Sequence, residues 1–251
     1  MLQRAALRIL ILGGTREARE LAEKATGERG FEIVSSLAGR VREPVLPAGE
    51  VRVGGFGGVV GLRDWLVDNG IGAVIDATHP FAATMSAHAA EAASDLGLPV
   101  IQLRRPGYRE QPGDRWVRVA DLTAAAETVA TLGERIFLSI GRQGVGAFAG
   151  LSRPWFLIRA IDPPTGPLPP NHEILLARGP FAVHDERRLL AEREIDVLVT
   201  KDSGGAATTA KLDAARSLRL PVVMIDRPPV PAGMSQVESV AAVWDWLRAL
   251  S

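Results

Sequence analysis

The sequence predicts an α/β protein made of two doubly wound parallel-sheet domains with a cleft between them. Three observations carry that expectation. Short uninterrupted apolar runs such as "ILIL" and "VLVT" stop at Gly, Thr or Lys, as strands buried on both faces do. Stretches with apolar residues at helical spacing alternate with them, the pattern that brings consecutive strands parallel. A segment rich in Pro, Gly and charge, Arg105–Trp116, interrupts the alternation once, near the middle.

The elements follow in order. "LRILILGG" (Leu7–Gly14) reads as a first strand cut short by glycines. "TREARELAEKA" (Thr15–Ala25) reads as a helix, with Ala18, Leu21, Ala22 and Ala25 on one face and Thr15 as its N-cap. "FEIVSSLAG" is a second strand, "GVVGLRDWLVDNG" an amphipathic helix, and "IGAVIDATHPF" a strand running into a turn. A helix in "ATMSAHAAEAASDLG" and a strand in "LPVIQLRR" complete the first half. The alternation then resumes: helix "LTAAAETVATLG", strands "RIFLSIG" and "WFLIRAI", and a helix opening at "GPFAVHDERRLLAER". Strand and turn "IDVLVTKDSGG", helix "AATTAKLDAARSLR", strand "LPVVMIDRP" and closing helix "SVAAVWDWLRALS" end the chain. Both halves are Rossmann-like, with expected domains 1–108 and 109–251. Order alone leaves open whether each half supplies all its own strands.

Bulk properties exclude several classes. The formal net charge of +0 over 251 residues favours neither nucleic acid nor an anionic membrane. The chain has no cysteine, which removes disulfides, thiolate metal sites and cysteine nucleophiles. His79, His88, His172 and His184 lack metal-binding spacing, so no metal is expected. No apolar run approaches the roughly 20 residues of a membrane span, and the N-terminal apolar stretch reads as a strand, not a leader. The expectation is a cytoplasmic, monomeric protein acting on a small molecule.

Candidate site residues gather where strands end. Gly13, Gly14, Thr15, Arg16 and Glu17 occupy the first strand-to-helix turn, where amides and a helix N-terminus favour a pyrophosphate. The pattern is shorter than G-x-G-x-x-G, and a tight turn without ligand is the alternative. After the second strand, a carboxylate for the ribose hydroxyls of NAD is missing; Ser35, Ser36, Gly39, Arg40 and Arg42 stand there instead. Hydroxyls and a guanidinium suit a 2′-phosphate, so a bound dinucleotide is expected to be NADPH/NADP+, held by Ser36 and Arg40. "DATHPFA" (Asp76–Ala82) ends the strand beside the first, with Thr78, His79 and Pro80 at the ligand side.

In the second half the lysines draw notice. The chain holds only three, Lys24, Lys201 and Lys211, among 29 Lys+Arg. Lys201, Asp202, Ser203 and Gly204 end a buried strand in a turn suited to an anionic oxygen, and Arg159, Arg178 and Arg227 lie at strand ends or in following loops. Together they are expected to form a cationic rim; Lys211, two turns into a helix, is less clearly directed there. Ordinary turn chemistry and surface ion pairs are the alternative.

These stretches, "ILILGGTREARELA", "DATHPFA", "GPFAVHDERRLL" and "TKDSGGAATTAKLDAARSLRLPVVMIDRP", resemble the precorrin-6A reductase family in order and nearly from end to end. Asp226 departs from it, standing where a second basic residue before Arg227-Pro228 is common. The resemblance implies NADPH-dependent reduction of one double bond of a carboxylate-fringed tetrapyrrole in cobalamin biosynthesis. It implies a cofactor on the first Rossmann-like domain and the macrocycle in the cleft. His79 and Lys201 are the candidate proton donors, beside water and a substrate carboxylate. Another NADP-dependent reductase, an S-adenosylmethionine methyltransferase and a non-catalytic two-domain binding module are the competing classes. The first would not need the lysine turn, and the second would place an acid after its second strand.

Overall fold

The computed structural model describes residues 6–39, 45–205 and 208–250. The chain divides into two compact units, one formed by Met1–Arg105 together with Pro228–Ser251 and the other by Pro106–Arg227.

In unit 1 the strands are β1 (Leu7–Leu12), β2 (Phe31–Leu37), β3 (Glu50–Val53), β4 (Ala73–Asp76), β5 (Val100–Leu103) and β12 (Ser235–Val237). They form one six-stranded sheet in the order β12-β5-β4-β1-β2-β3. Every pairing is parallel, with Ile9 opposite Ile33 on one side and Ala73 on the other. Alternation along β1 sends its residues to opposite faces. Ile9 and Ile11 pack with Leu21 and Ala22 of α1 (Arg16–Thr26) and with Val243, Trp244 and Leu247 of α7 (Val240–Leu250). Leu10 and Leu12 pack with Leu62 and Leu66 of α2 (Gly58–Asp68) and with Ala89 and Ala92 of α3 (Ala83–Asp95). Thr15 caps α1 as its side-chain oxygen accepts from the Ala18 amide.

Unit 2 repeats the plan. Its strands β6 (Trp116–Val119), β7 (Arg135–Ser139), β8 (Trp155–Ala160), β9 (His172–Leu176), β10 (Val197–Lys201) and β11 (Val222–Ile225) are parallel in the order β6-β11-β10-β7-β8-β9. Helices α4 (Leu122–Leu132), α5 (Val183–Glu192) and α6 (Ala210–Ser217) connect them. Phe137, Leu157 and Leu198 build a core layer with Leu190 of α5 and Leu212 of α6.

The two plans match strand for strand except in the sixth. Strand β6 follows β5 in the chain but pairs with β11 of unit 2, and β12 follows β11 but pairs with β5 of unit 1. The edge strands are therefore exchanged, and the chain crosses between units at Arg105-Pro106 and again at Arg227-Pro228. This differs from the expected domains 1–108 and 109–251. The closing segment leaves unit 2 because β12 extends the first sheet and α7 covers its apolar layer. Without Trp244 and Leu247, which are 3% and 0% exposed, the packed faces of Ile101 and Leu103 would meet water.

Sequence periodicity predicts the interior strands of both sheets and misses β3, β6, β9 and β12, which are the four sheet edges. An edge strand is paired on one side and half-exposed, so its sequence need not be a continuous apolar run. "EVRV", "WVRV", "HEILL" and "SQV" are mixed in just this way.

The exchange makes a prediction about fragments. Within unit 1 the Arg104 amide donates to the Val237 carbonyl (2.8 Å) and Arg104 Nη2 to the Pro228 carbonyl (2.9 Å), so residues 105 and 228 can be joined by a short linker. A chain of residues 1–105 linked through Gly-Ser to 228–251 will unfold in urea as one cooperative transition, whereas residues 1–108 alone will show none by far-UV circular dichroism.

Candidate functional site

In each sheet the strand order reverses at one point, and ligands of doubly wound folds bind outside the carboxyl ends of the strands there. In unit 1 that point lies between β1 and β4, bordered by Gly13-Gly14-Thr15 and by Ala77-Thr78-His79-Pro80. In unit 2 it lies between β7 and β10, bordered by Ser139-Ile140-Gly141 and by Lys201-Asp202-Ser203-Gly204. The sequence-predicted turns thus occupy the switch points of their own sheets.

In the first turn, the Gly13 amide is spent on the sheet, donating to the Ser36 carbonyl at 2.9 Å. Gly14 adopts φ +107°, a conformation that strains any L side chain, and the space where its Cβ would stand is open. The helix entrance from Gly14 to Glu17 therefore presents backbone at close range, and its first N–H groups have no intrahelical partner. Thr15 is buried and doubly used: its hydroxyl donates to the Ala77 carbonyl (2.8 Å) and accepts from Ala18 N (3.1 Å). It joins the two turns that border the switch point. The carboxylate of Glu17 accepts from Arg105 Nη1 at 2.9 Å, so its charge is matched within the unit. Arg16 is exposed.

Beneath the second turn lies a residue without an assigned role in the sequence reading. Asp76 is 0% exposed, and its carboxylate accepts from the Thr78 amide (3.1 Å), the Thr78 hydroxyl (2.6 Å), the Ser86 hydroxyl (2.5 Å) and Gln102 Nε2 (2.9 Å). Burial without a cation demands such a set of donors. Thr78 accordingly spends its hydroxyl inside the protein. Pro80 is buried and His79 is exposed beside it. The Phe81 amide donates to His79 Nδ1 at 3.3 Å. In the neutral ring the proton then sits on Nε2. A carboxylate as the last residue of an otherwise apolar strand was the available signal for Asp76.

At the end of β2, Ser36 is buried and its hydroxyl accepts from Nη1 of Arg52 at 2.9 Å. Arg40, with Arg42 and Glu43, lies outside the described residues. Arg52 escaped the sequence reading together with its strand, β3.

In unit 2, Lys201 ends β10 half-buried, while Asp202 is 5% exposed. The Asp202 carboxylate accepts from the Tyr108 amide (2.8 Å) and from Arg118 Nη2 (3.0 Å). Arg227 Nε donates to the Asp202 carbonyl (2.6 Å) and its Nη2 to the Pro106 carbonyl (3.0 Å). Gly204, at φ +63°, is pressed so closely that a Cβ would stand 2.0 Å from the Pro106 carbonyl oxygen. Asp202, Arg227 and Gly204 therefore tie the crossing segment Pro106–Tyr108 to the lysine turn. Asp226, at the position where the family favours a cation, accepts from Arg118 Nε at 2.8 Å. Ser203 is half-buried; Arg178 is exposed.

Arg159 sits inside the unit. It is 7% exposed, forms a two-pronged pair with Glu186 (2.5 and 2.9 Å) and lies over the rings of Phe137 and Phe181. Its charge is balanced there, so it reaches the expected rim only through what it positions. Lys211 joins the same layer, 7% exposed, with Nζ 3.3 Å from the Ser139 hydroxyl. Burial, and then the neighbouring Arg159 cation, pull the Lys211 pKa down to about 7, against a smaller upward pull from Glu186. Glu186 and Lys211 carried a signal in the sequence, each being a charge on the buried face of its helix, beside Leu190 and Leu212 respectively.

Among the described residues no cluster of three or more His, Asp or Glu could hold a metal, and no helix is long and apolar enough to cross a membrane.

Two parallel units with a strand-order reversal bordered by polar turns in each define a two-unit, doubly wound α/β protein. The chain belongs to the family described as "Precorrin-6x reductase CbiJ/CobK", which matches residues 8–248. It is 57% identical over 244 residues to a Rhodococcus erythropolis protein named precorrin-6A reductase, covering 97% of this chain and 98% of that one. A precorrin-6A reductase of Mycobacterium tuberculosis (strain H37Rv) is 54% identical over 241 residues, with 94% and 96% covered. The solved structure "CobK precorrin-6A reductase" superposes with a TM-score of 0.87 at 46% identity, covering 97% of this chain and 96% of its own.

The buried amine makes stability depend on pH. Folding lowers the Lys211 pKa from 10.5 to about 7, so below pH 7 the folded state bears the full cost of a buried cation. Between about pH 7 and 10 the unfolded chain holds a proton that the folded chain has released, and stability rises with pH. Lys211→Met will therefore raise the urea midpoint most at pH 6, and the gain over the parent will shrink steadily toward pH 10.

Proposed function

We propose that this protein reduces one double bond of precorrin-6A, giving precorrin-6B, with NADPH as hydride donor. The observation that carries the reading is family membership along residues 8–248, at over half identity to proteins named precorrin-6A reductase. The site chemistry supports it: one sheet offers a glycine turn to a pyrophosphate, and the other offers Lys201 to an acid-bearing ring.

In this reading the pyrophosphate lies against Gly13, Gly14, Thr15, Arg16 and Glu17. Ser36 and Arg40 receive the 2′-phosphate, and the nicotinamide sits near Thr78, His79 and Pro80. Thr15 and Thr78 act mainly by holding those turns in register, since their hydroxyls are already engaged. Lys201, Ser203 and Arg178 meet ring carboxylates directly, while Asp202, Gly204, Arg227 and Arg159 shape the surface that carries them. Held there, NADPH would supply a hydride to an electrophilic carbon of the conjugated system, whose neighbouring carbon would take one proton. Proximity supplies most of the acceleration, because no covalent intermediate is required. The one proton comes from the ammonium of Lys201 or from His79 in its doubly protonated form, these being the two side-chain candidates beside water and a substrate carboxylate. The reading sets the enzyme in the cytoplasm, with the macrocycle as its small-molecule partner.

Anaerobic mixing of the protein with NADPH and precorrin-6A will shorten the visible conjugation of the ring and consume NADPH in equal amount. NADPH bound without turnover would instead support a binding module. Lys201→Met will raise KM for precorrin-6A at least tenfold while changing KM for NADPH less than twofold; equal effects on both would remove Lys201 from the ring site.

A further inference from the structure

The amino-terminal and carboxyl-terminal ends of β2 and β3 carry opposite charge arrangements. At the amino-terminal end, Arg8 gathers both acids, Glu32 (3.4 Å) and Glu50 (2.6 Å). At the carboxyl-terminal end, Ser36 and Arg52 stand in register across the two strands. Arg52 Nη1 donates to the Ser36 hydroxyl (2.9 Å) and the Gly54 carbonyl (3.0 Å), and Nη2 to the Gly55 carbonyl (3.1 Å). Its guanidinium plane lies over the Phe56 ring, 3.8 Å from the centroid, with Trp65 at 5.4 Å. Among the described residues no carboxylate pairs with it. The nearest acids of its own strand pair are those already consumed by Arg8.

An arginine held in this way is oriented and half-buried, and no carboxylate of the described residues cancels its charge. Of its five N–H groups, Nε–H and one Nη2 hydrogen are not spoken for by the three bonds above. The Ser36 oxygen accepts from Arg52, and among the described residues no acceptor takes its own hydrogen. Two donor-bearing side chains thus stand side by side at the end of β2, where a doubly wound fold meets the adenosine ribose of a dinucleotide. Burial without a counter-charge draws the Arg52 pKa down from its ordinary value, which an incoming anion would reverse. Loop carbonyls alone would not need a guanidinium stacked on two rings and bound to a neighbouring strand's hydroxyl.

We propose that Arg52 is the specificity-determining residue for the cofactor's 2′-phosphate, binding it as a pair with Ser36. The proposal rests on the NADPH reading above and adds to Ser36 and Arg40 a residue of the neighbouring strand β3. Arg52 selects between cofactors and takes no part in hydride or proton transfer.

Calorimetric titration of the full chain with 2′,5′-ADP and with 5′-AMP tests it without substrate. The parent protein will bind 2′,5′-ADP more tightly than 5′-AMP. Arg52→Gln will weaken 2′,5′-ADP about 10- to 100-fold, the range for loss of a charge-assisted hydrogen bond, and leave 5′-AMP within twofold. Ser36→Asp, which offers Arg52 an internal partner and repels a phosphate, will remove the same discrimination, and it decides alone if Arg52→Gln fails to fold. Retained discrimination in the folded variants overturns the role of Arg52 and leaves NADPH standing as cofactor. A parent protein that binds the two ligands equally overturns the NADPH reading, and the proposal with it.

Discussion

Parallel pairing is the constraint on which the rest of this molecule depends. Parallel strands cannot be joined by tight turns, so each connection must cross over, here mostly through a helix, before the next strand begins. Interior strands are then covered on both faces and carry continuous apolar runs, as in Ile9–Leu12 of β1 and Val197–Val199 of β10. All carboxyl-terminal turns of a sheet also fall along one edge, so residues far apart in sequence become neighbours. Leu12 and Asp76, or Ser139 and Thr200, meet for that reason and no other.

Neighbouring turns at such an edge need internal fasteners, and this chain uses buried carboxylates for the purpose. Asp76 gathers the Thr78 turn, Ser86 of α3 and Gln102 of β5 around one side chain. Asp202 gathers the crossing segment through Tyr108 and an edge strand through Arg118. Glu186 fixes Arg159 beneath the same face. Removing Asp76 strands several donors, a cost of about 1–3 kcal/mol for each unsatisfied buried group, and removing Glu186 leaves the buried Arg159 cation without its carboxylate. Several strand-end polar residues, among them Thr78, Asp202 and Arg159, spend hydrogen-bonding groups inside their own units.

The choice of lysine in an arginine-rich chain has a related cause. A guanidinium keeps its proton under all ordinary conditions and pairs in a plane, which suits Arg159 with Glu186 and Arg52 with Ser36. An ammonium is a compact charge that can yield its proton when burial makes the charge costly. Lys211, beside Arg159 in a layer holding one carboxylate, is where a second fixed cation would be hardest to bear. The exchanged edge strands add a further restraint, because each unit is completed by chain that has already passed through or beyond the other.

The sequence by itself determined the interior of the fold and the location of the candidate turns. Continuous apolar strands, helical spacing and glycine or Thr-His-Pro punctuation are local consequences of burial and backbone geometry, and they can be read residue by residue. The four edge strands, the exchange of β6 with β12, and the internal partners of the strand-end polar residues emerge from long-range pairing alone. Edge pairing depends on which backbone lies alongside, and "SQV" or "EVRV" carries no mark of its partner. The same holds for Arg159, whose charge could have faced a ligand until Glu186 was found against it, and for Arg52, whose register with Ser36 exists only once β3 is laid beside β2.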